Sequence, residues 1–184
     1  MNEIVERKFA GDTVQLRFLS DGTWHDEDVE LKTLPQNRMY SVQYGKKPRY
    51  ILFAGLVFQP LDTNLFATEK FSDVNVRRLY EDYLSEGLFT EREDIVMLTR
   101  IESDPINSQL SGFRGLAVDT INGTKVTTIK QAHDLLYPET PPEFFVIELF
   151  GARRPLIIPS AEVSSANQRI QSTYSIDSLS NLEE

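Results

Sequence analysis

The sequence predicts a mainly β protein with short helices, an α+β fold, and three features support this prediction. The first is the apolar run Tyr50–Leu61, which only Gly55 and Gln59 interrupt and which is typical of a buried strand. The second is a pair of segments, Val14–Leu31 and Phe144–Ile158, that have the pattern of β-hairpins around polar or glycine turns. The third is that helical spacing of apolar residues appears only in short stretches, so helices are expected to connect strands.

The composition excludes several classes of function. The chain has 184 residues, a net charge of −9 and no cysteine. An acidic chain without clustered Lys and Arg is not expected to bind nucleic acid or an anionic membrane surface. Without cysteine it forms no disulfide, zinc–thiolate site or thiol nucleophile. We expect no cofactor and no metal.

Targeting signals are not apparent in the sequence. The first residues lack the charged and then apolar layout of a signal peptide, and no apolar run approaches the roughly 18 residues of a membrane span. The compartment therefore stays unknown from the sequence. Residues 35–49, rich in polar side chains with prolines and a glycine, are expected to form a linker.

The N-terminal hairpin is defined by alternation and by its turn. Val14, Leu16 and Phe18 alternate with mainly polar residues, and Asp21-Gly22 supplies the positive φ angles of a tight turn. An isolated two-stranded hairpin is marginal in water, so this one is expected to lean on another element.

Gly55 is the most informative single residue. A glycine within an apolar strand often marks a place where another backbone or a ligand comes near, although it also occurs at simple bulges. The sequence therefore predicts a close approach at Gly55, with Tyr50–Leu61 as a candidate peptide-binding edge.

Residues 62–94 have a helical pattern. Its apolar stripe consists of Val76, Leu79, Tyr80, Tyr83 and Leu84. Asp73 is a plausible N-cap and Gly87 a plausible stop.

The second half of the chain alternates strands and short helices. Strands are predicted at Ile95–Ile101, Leu116–Ile121, Phe144–Phe150 and Pro155–Ile158. Asn122-Gly123 predicts a sharp reversal, after which Thr127 or Thr128 caps a short helix. A last helix is predicted over Ser160–Ile170, and the Ser-rich and acidic tail beyond Thr173 is expected to be frayed.

The order of these elements resembles a PDZ domain in the permuted form of bacterial-type proteases. Three stretches carry the resemblance: Lys8–Asp12 leading into the first hairpin, Pro48–Leu61, and Ile121–Val126 with the helix that follows. They are similar to the C-terminal part of the HtrA/Deg family of serine proteases, close to the Deg proteases of plant organelles and their bacterial relatives. Proteins of this family are extracytoplasmic or organellar and act in protein quality control.

The resemblance implies a domain organisation. Residues 1–34 would be the C-terminal hairpin of a truncated first PDZ domain, and residues 50–160 a second PDZ-like domain, a partly open β-barrel with an insert at 62–94. Residues 161–184 would form a C-terminal helix and flexible tail. No Gly-Asn-Ser-Gly-Gly nucleophile loop is present, and only His25 and His133 could serve as a base. The chain itself is therefore expected not to be an enzyme, within a parent that is a serine endopeptidase.

The resemblance also implies a peptide-binding site. A PDZ groove lies between a strand edge and a helix, and a peptide or protein segment adds to it as an extra strand. The carboxylate loop and strand would be Phe53, Ala54, Gly55, Leu56, Val57 and Phe58. The strand Leu56–Gln59 would be the pairing edge, with Leu56 and Phe58 divided between core and groove. On the helix, Ile129, His133 and Leu136 would face the groove, and Ala132 and Leu135 the core.

The sequence is also compatible with other functions. The groove could be filled by a segment of the same or another subunit, which would make the chain a structural oligomerisation domain; a stand-alone adaptor is a further alternative. An independent enzyme would need acidic residues such as Asp104, Asp119 or Glu148, whose spacing does not bring them together. His25 beside acidic neighbours is more typical of a solvated hairpin residue than of a metal or acid–base site.

Overall fold

The computed structural model describes residues 8–32, 42, 44–68, 78, 81 and 92–183. Contacts divide the chain into two compact units, Met1–Tyr40 and Ser41–Glu184. The apolar stripe predicted at Val76, Leu79, Tyr80, Tyr83 and Leu84 lies outside the described residues, as do Asp73, Gly87 and most of the predicted linker. Among the described helices, none is long and apolar enough to cross a membrane.

The first unit contains the predicted β-hairpin. Strands β1 (Thr13–Ser20) and β2 (Thr23–Glu30) pair antiparallel around a turn in which Asp21 and Gly22 have φ of 50° and 76°. His25 stacks on its cross-strand partner Phe18, with ring centroids 5.3 Å apart. His25 is thus part of a cross-strand pair, as expected for an ordinary hairpin residue.

The described part of the second unit forms two four-stranded antiparallel sheets with helices packed against them. The first sheet has the order β10-β3-β4-β5 and the second β7-β6-β8-β9. The strands are β3 (Tyr50–Phe53), β4 (Leu56–Pro60), β5 (Val96–Ile101), β6 (Val118–Ile121), β7 (Thr124–Lys125), β8 (Phe144–Leu149), β9 (Leu156–Pro159) and β10 (Ser180–Asn181). Among the described residues, the helices are α1 (Thr63–Thr68), α2 (Ile129–Leu136) and α3 (Ser160–Tyr174), with 3₁₀ turns at Pro105–Asn107 and Ser111–Phe113.

The two sheets share one core, and this confirms the predicted mainly β class with short helices. Phe53 and Phe58 of the first sheet pack with Ile147 of the second and with Ile129 of α2, and each of these side chains is essentially buried. A bridge between Met97 and Ala117 links the sheets. The described strands do not close into a barrel.

The apolar run Tyr50–Leu61 folds as a hairpin, which corrects the interpretation of a single strand. Ala54 and Gly55 both have positive φ, 49° and 83°, so the chain reverses between β3 and β4. Hairpin turns of this kind usually carry Asn or Asp before the glycine. Because alanine precedes the glycine here, the sequence did not predict a hairpin turn at Ala54-Gly55.

The C-terminal segment pairs with the first sheet, which differs from the frayed tail expected from the sequence. Helix α3 ends at Tyr174, four residues later than predicted, and Ser175 adopts a left-handed conformation with φ 54°. The Ile176 amide then donates to the Gln171 carbonyl, and the returning chain pairs as β10 with β3. Leu179 and Leu182 pack against buried side chains, and this burial holds the tail.

An ion pair ties the first 3₁₀ turn to α3 and predicts a pH dependence. Arg169 donates from Nε and Nη2 to Asp104 at 2.8 and 2.7 Å. This hydrogen bonding lowers the pKa of the Asp104 carboxyl below 3.8, against the opposing effect of burial. A carboxyl whose folded pKa is depressed stabilises the fold above its unfolded pKa, and this contribution is lost as the pH falls through the folded pKa.

We therefore expect Arg169→Gln to lower stability at neutral pH and to lose less stability on acidification than the wild type does. Urea unfolding at about pH 6 and about pH 3 measures both effects. Arg153→Gln removes the same charge from an exposed position and should leave the pH profile unchanged. Parallel profiles for wild type and Arg169→Gln would contradict the assignment.

Candidate peptide-binding site

The predicted carboxylate loop is a buried turn in which the Ala54 amide and the carbonyls of Ala54 and Gly55 are hydrogen-bonded within the chain. The Ala54 amide donates to Asn167 Oδ1 at 2.8 Å, and Asn107 Nδ2 donates to the Ala54 carbonyl at 2.9 Å. The Glu102 amide donates to the Gly55 carbonyl at 2.8 Å. The close approach predicted at Gly55 is made by the chain itself, from Asn107 and Glu102.

The strand after this turn has no free edge. Strand β4 pairs with β3 along one edge and with β5 along the other. The expectation that Leu56–Gln59 offers a pairing edge is therefore wrong for this conformation, because β3 already lies where an added strand would pair. Leu56 and Phe58 are both fully buried rather than divided between core and groove, since alternate residues of a strand share a face.

Helix α2 is positioned by its N-terminus. Thr128 is the N-cap, and its hydroxyl accepts from the Gln131 amide at 3.0 Å. Asp94 Oδ2 accepts from the Ile129 amide at 2.9 Å, and the same carboxylate binds the Arg49 guanidinium through Nη1 and Nη2. Two acceptors therefore satisfy the amides of Ile129 and Gln131 in the first turn of α2. The negative charge of Asp94 also interacts favourably with the positive end of the helix dipole.

The predicted helix wall divides between core and surface. Ile129 and Leu136 are buried in the core with Ala132, so of the three predicted groove residues only His133 lies at the surface. The His133 side chain is 28% exposed, and its Nδ1 lies 3.3 Å from Asp134 Oδ1. Leu135, expected in the core, is half-buried. The face that includes Ile129 and Leu136 packs inward, and no open groove between α2 and β4 is formed by the described residues.

A cavity of about 450 Å³ lies beside the end of α2. Its apolar walls include Leu136, Phe145, Val163 and Leu179, and its polar walls come mainly from α3. Such a volume is within the range of ligand pockets, roughly 300–1,000 Å³. The cavity is lined in part by Leu136, one of the predicted groove residues.

Tyr137 joins this cavity to β3. Its hydroxyl donates to the Leu52 carbonyl and accepts from Asn167 Nδ2 at 3.3 Å. Burial raises the pKa of Tyr137 to about 12, while the bond from Asn167 acts in the opposite direction. Tyr137 is thus a neutral hydrogen-bonding group that holds the outer edge of β3.

Sequence reasoning missed Asn107, Asn167 and Tyr137. Asn107 follows the recognised turn Asp104-Pro105, but its role in the Gly55 turn depends on a contact between distant segments. Asn167 shared the apolar face of α3 with Val163, and a lone amide on such a face was the available signal for a buried hydrogen bond.

The acidic residues considered for an independent enzyme are each engaged separately. Asp104 binds Arg169, Asp119 binds Arg92 at 2.8 Å, and Glu148 accepts from Thr120. No cluster of His, Cys, Asp or Glu that could hold a metal ion occurs among the described residues.

The PDZ domain family matches the chain over residues 39–181. This range includes both four-stranded sheets, α2 and α3. The chain belongs to the PDZ domain family.

The PDZ chain is also similar to proteases of Arabidopsis thaliana. It is 29% identical to "Protease Do-like 4, mitochondrial" over 135 residues, which is 73% of the chain and 23% of that protein. It is 26% identical to "Protease Do-like 2, chloroplastic" over 136 residues, which is 72% of the chain and 22% of that protein. It is 25% identical to "Putative protease Do-like 12, mitochondrial" over 135 residues, which is 73% of the chain and 23% of that protein. The chain thus spans less than a quarter of the length of these relatives, and the predicted resemblance to the PDZ region of Deg proteases is confirmed.

Proposed function

We propose that this PDZ region is a non-catalytic, regulatory part of an HtrA/Deg-type serine endopeptidase and that it binds extended peptide or protein segments by strand addition. The similarity to Do-like proteases supports a protease parent. The observation that carries the binding proposal is β10, an extended segment that pairs antiparallel with β3 at the edge of the first sheet. The sheet therefore accepts an added strand, the mode by which PDZ domains bind peptides.

Titration with labelled peptides tests this proposal. Peptides with apolar C-termini are compared as free carboxylates and as amides, by fluorescence anisotropy against the whole chain. A preference of tenfold or more for the free form would support carboxylate binding at the predicted residues Phe53–Phe58, and would require β3 to leave β4. Equal affinity of both forms would support strand addition alone. If no peptide of either form binds, the ligand-binding role is wrong.

A second candidate is a structural assembly domain whose groove is permanently filled. Both edges of β4 are paired within the chain, which favours this reading. On the second sheet, Phe144 and Ile157 leave large apolar side chains 45% and 55% exposed on neighbouring strands. An exposed apolar pair of this kind is a plausible contact between subunits.

We expect Ile157→Asp to weaken self-association if this surface joins subunits. A charge in an apolar contact costs desolvation energy, so the association constant should fall at least tenfold. Sedimentation velocity over a range of concentrations measures it, and Thr173→Asp places the same charge on an exposed position of α3 as a control. An unchanged oligomer in Ile157→Asp would exclude this surface.

A further inference from the structure

We propose that the outer edge of β3 and the adjoining cavity form a second peptide site, separate from the predicted residues Phe53–Phe58, which the chain's own residues 176–182 occupy. The ligand is an extended peptide with an aromatic residue in the place of Leu179. This inference rests on the proposed strand-addition function and names the edge and the side chain that it selects.

The polar contacts of the tail with β3 are made through main-chain groups of the tail. The Leu52 amide donates to the Leu179 carbonyl at 2.7 Å, and the Tyr50 hydroxyl donates to the Ser178 carbonyl at 2.9 Å. Ser180 and Asn181 pair with Ile51 and Tyr50. Because backbone carbonyls are common to all peptides, another extended segment can make the same bonds.

The tail is also a weak occupant. Strand β10 has only two residues, and Ser178 and Glu183 on either side of it are exposed. Ser175, where the tail turns back, is held at positive φ, which is unfavourable for a residue other than glycine. Segments that pair over only two residues and bury little surface open with a small free energy, so the edge can become available without unfolding the sheets.

The cavity specifies the side chain. Leu179 lies on one wall of the 450 Å³ space, and Leu136, Phe145 and Val163 supply apolar surface on the others. All the residues that line it are uncharged. This space remains with leucine at position 179, and the larger phenylalanine side chain would bury more of the apolar lining, which includes Phe145. A neutral aromatic side chain therefore fits better than the chain's own leucine.

The test uses the whole chain and a labelled peptide of residues 175–183 with Leu179 replaced by Phe, acetylated and amidated at its ends. In the wild type the tethered tail competes at high effective concentration. Leu179→Asp in the chain places a charge in the apolar cavity and should release the tail, so the peptide should bind at least tenfold more tightly than to wild type. Thr173→Asp, with the same charge on exposed α3, should bind as wild type does. Leu179→Ser is a milder second variant in case Leu179→Asp affects folding.

A pair of variants tests the cavity itself. Ser164 lines the cavity and Ser165 does not, although both are exposed on α3. In the Leu179→Ser background, Ser164→Trp should weaken binding of the Phe peptide at least tenfold, and Ser165→Trp should leave it unchanged. The same peptide with Ala at this position should bind at least tenfold more weakly than the Phe peptide.

The inference is overturned if tail variants bind the Phe peptide no better than wild type, or if the Ala peptide binds equally well. Because this peptide has no free carboxylate and matches the tail, its failure is separate from that of the C-terminal peptides described above. Binding of those peptides with no binding of the Phe peptide would overturn only the second site. Binding of the Phe peptide alone would support the second site and strand addition while excluding carboxylate recognition.

Discussion

Replacing Gly55 by alanine is expected to lower the free energy of unfolding by about 3 kcal/mol, from backbone strain and overpacking together. Gly55 has φ +83°, a conformation that disfavours any Cβ. A Cβ there would also lie well inside contact distance of the Glu102 carbonyl oxygen and Asn107 Nδ2, and 3.1 Å from Ile170 Cδ1. The carbonyl belongs to backbone that also bonds to the turn, so it cannot move without breaking the junction of β4 and β5.

Gly123→Ala is the matched control for this prediction. Gly123 has φ +77°, but an added Cβ would meet nothing within 4 Å. Only the backbone strain remains, so a loss of about 1–2 kcal/mol is expected. Urea denaturation of the three proteins measures the difference. Equal losses for the two variants would show that the surroundings of Gly55 yield easily and that the turn is not the tight junction described.

The fold could be predicted largely because its signals are local. The hairpin Val14–Leu31 follows from alternation and an Asp-Gly turn, and α2 from apolar spacing behind a threonine cap. The close approach at Gly55 could also be predicted, because a glycine within an apolar strand often marks a place where another group comes near. The identity of the approaching groups could not be predicted, because Asn107 and Glu102 come from a distant part of the chain.

The site was harder to predict because its occupancy depends on long-range pairing. Residues 53–58 could bind a peptide by strand addition only if β4 had an unpaired edge. The Ala54-Gly55 turn instead places β3 along that edge. The tail looked solvated by its Ser and acidic content, yet Leu179 and Leu182 suffice to dock it once Ser175 turns the chain back. Composition averages over such single apolar residues, whereas packing depends on where each one lies.

Removing the charge of Asp94 is the second prediction with a large expected effect. Arg49 and Asp94 are 9% and 6% exposed in their side chains and lie 2.6 Å apart between Nη2 and Oδ1. Arg49 Nε is buried without a hydrogen-bond partner, so the guanidinium depends on this carboxylate. Asp94→Asn leaves a buried cation without its counter-charge, and we expect stability to fall by about 3–5 kcal/mol in urea denaturation.

A double variant separates the charge from the support of α2. The asparagine keeps an oxygen that can accept from the Ile129 amide, so the helix start loses less than the ion pair does. If the buried cation causes the loss, Arg49→Met combined with Asp94→Asn should recover at least half of it, because methionine fills the site without a charge. If the double variant is as unstable as Asp94→Asn, the carboxylate acts mainly through the α2 N-terminus. In that case the position of α2, which lies beside β3 and the cavity, depends on the Asp94 carboxylate in the segment that precedes β5.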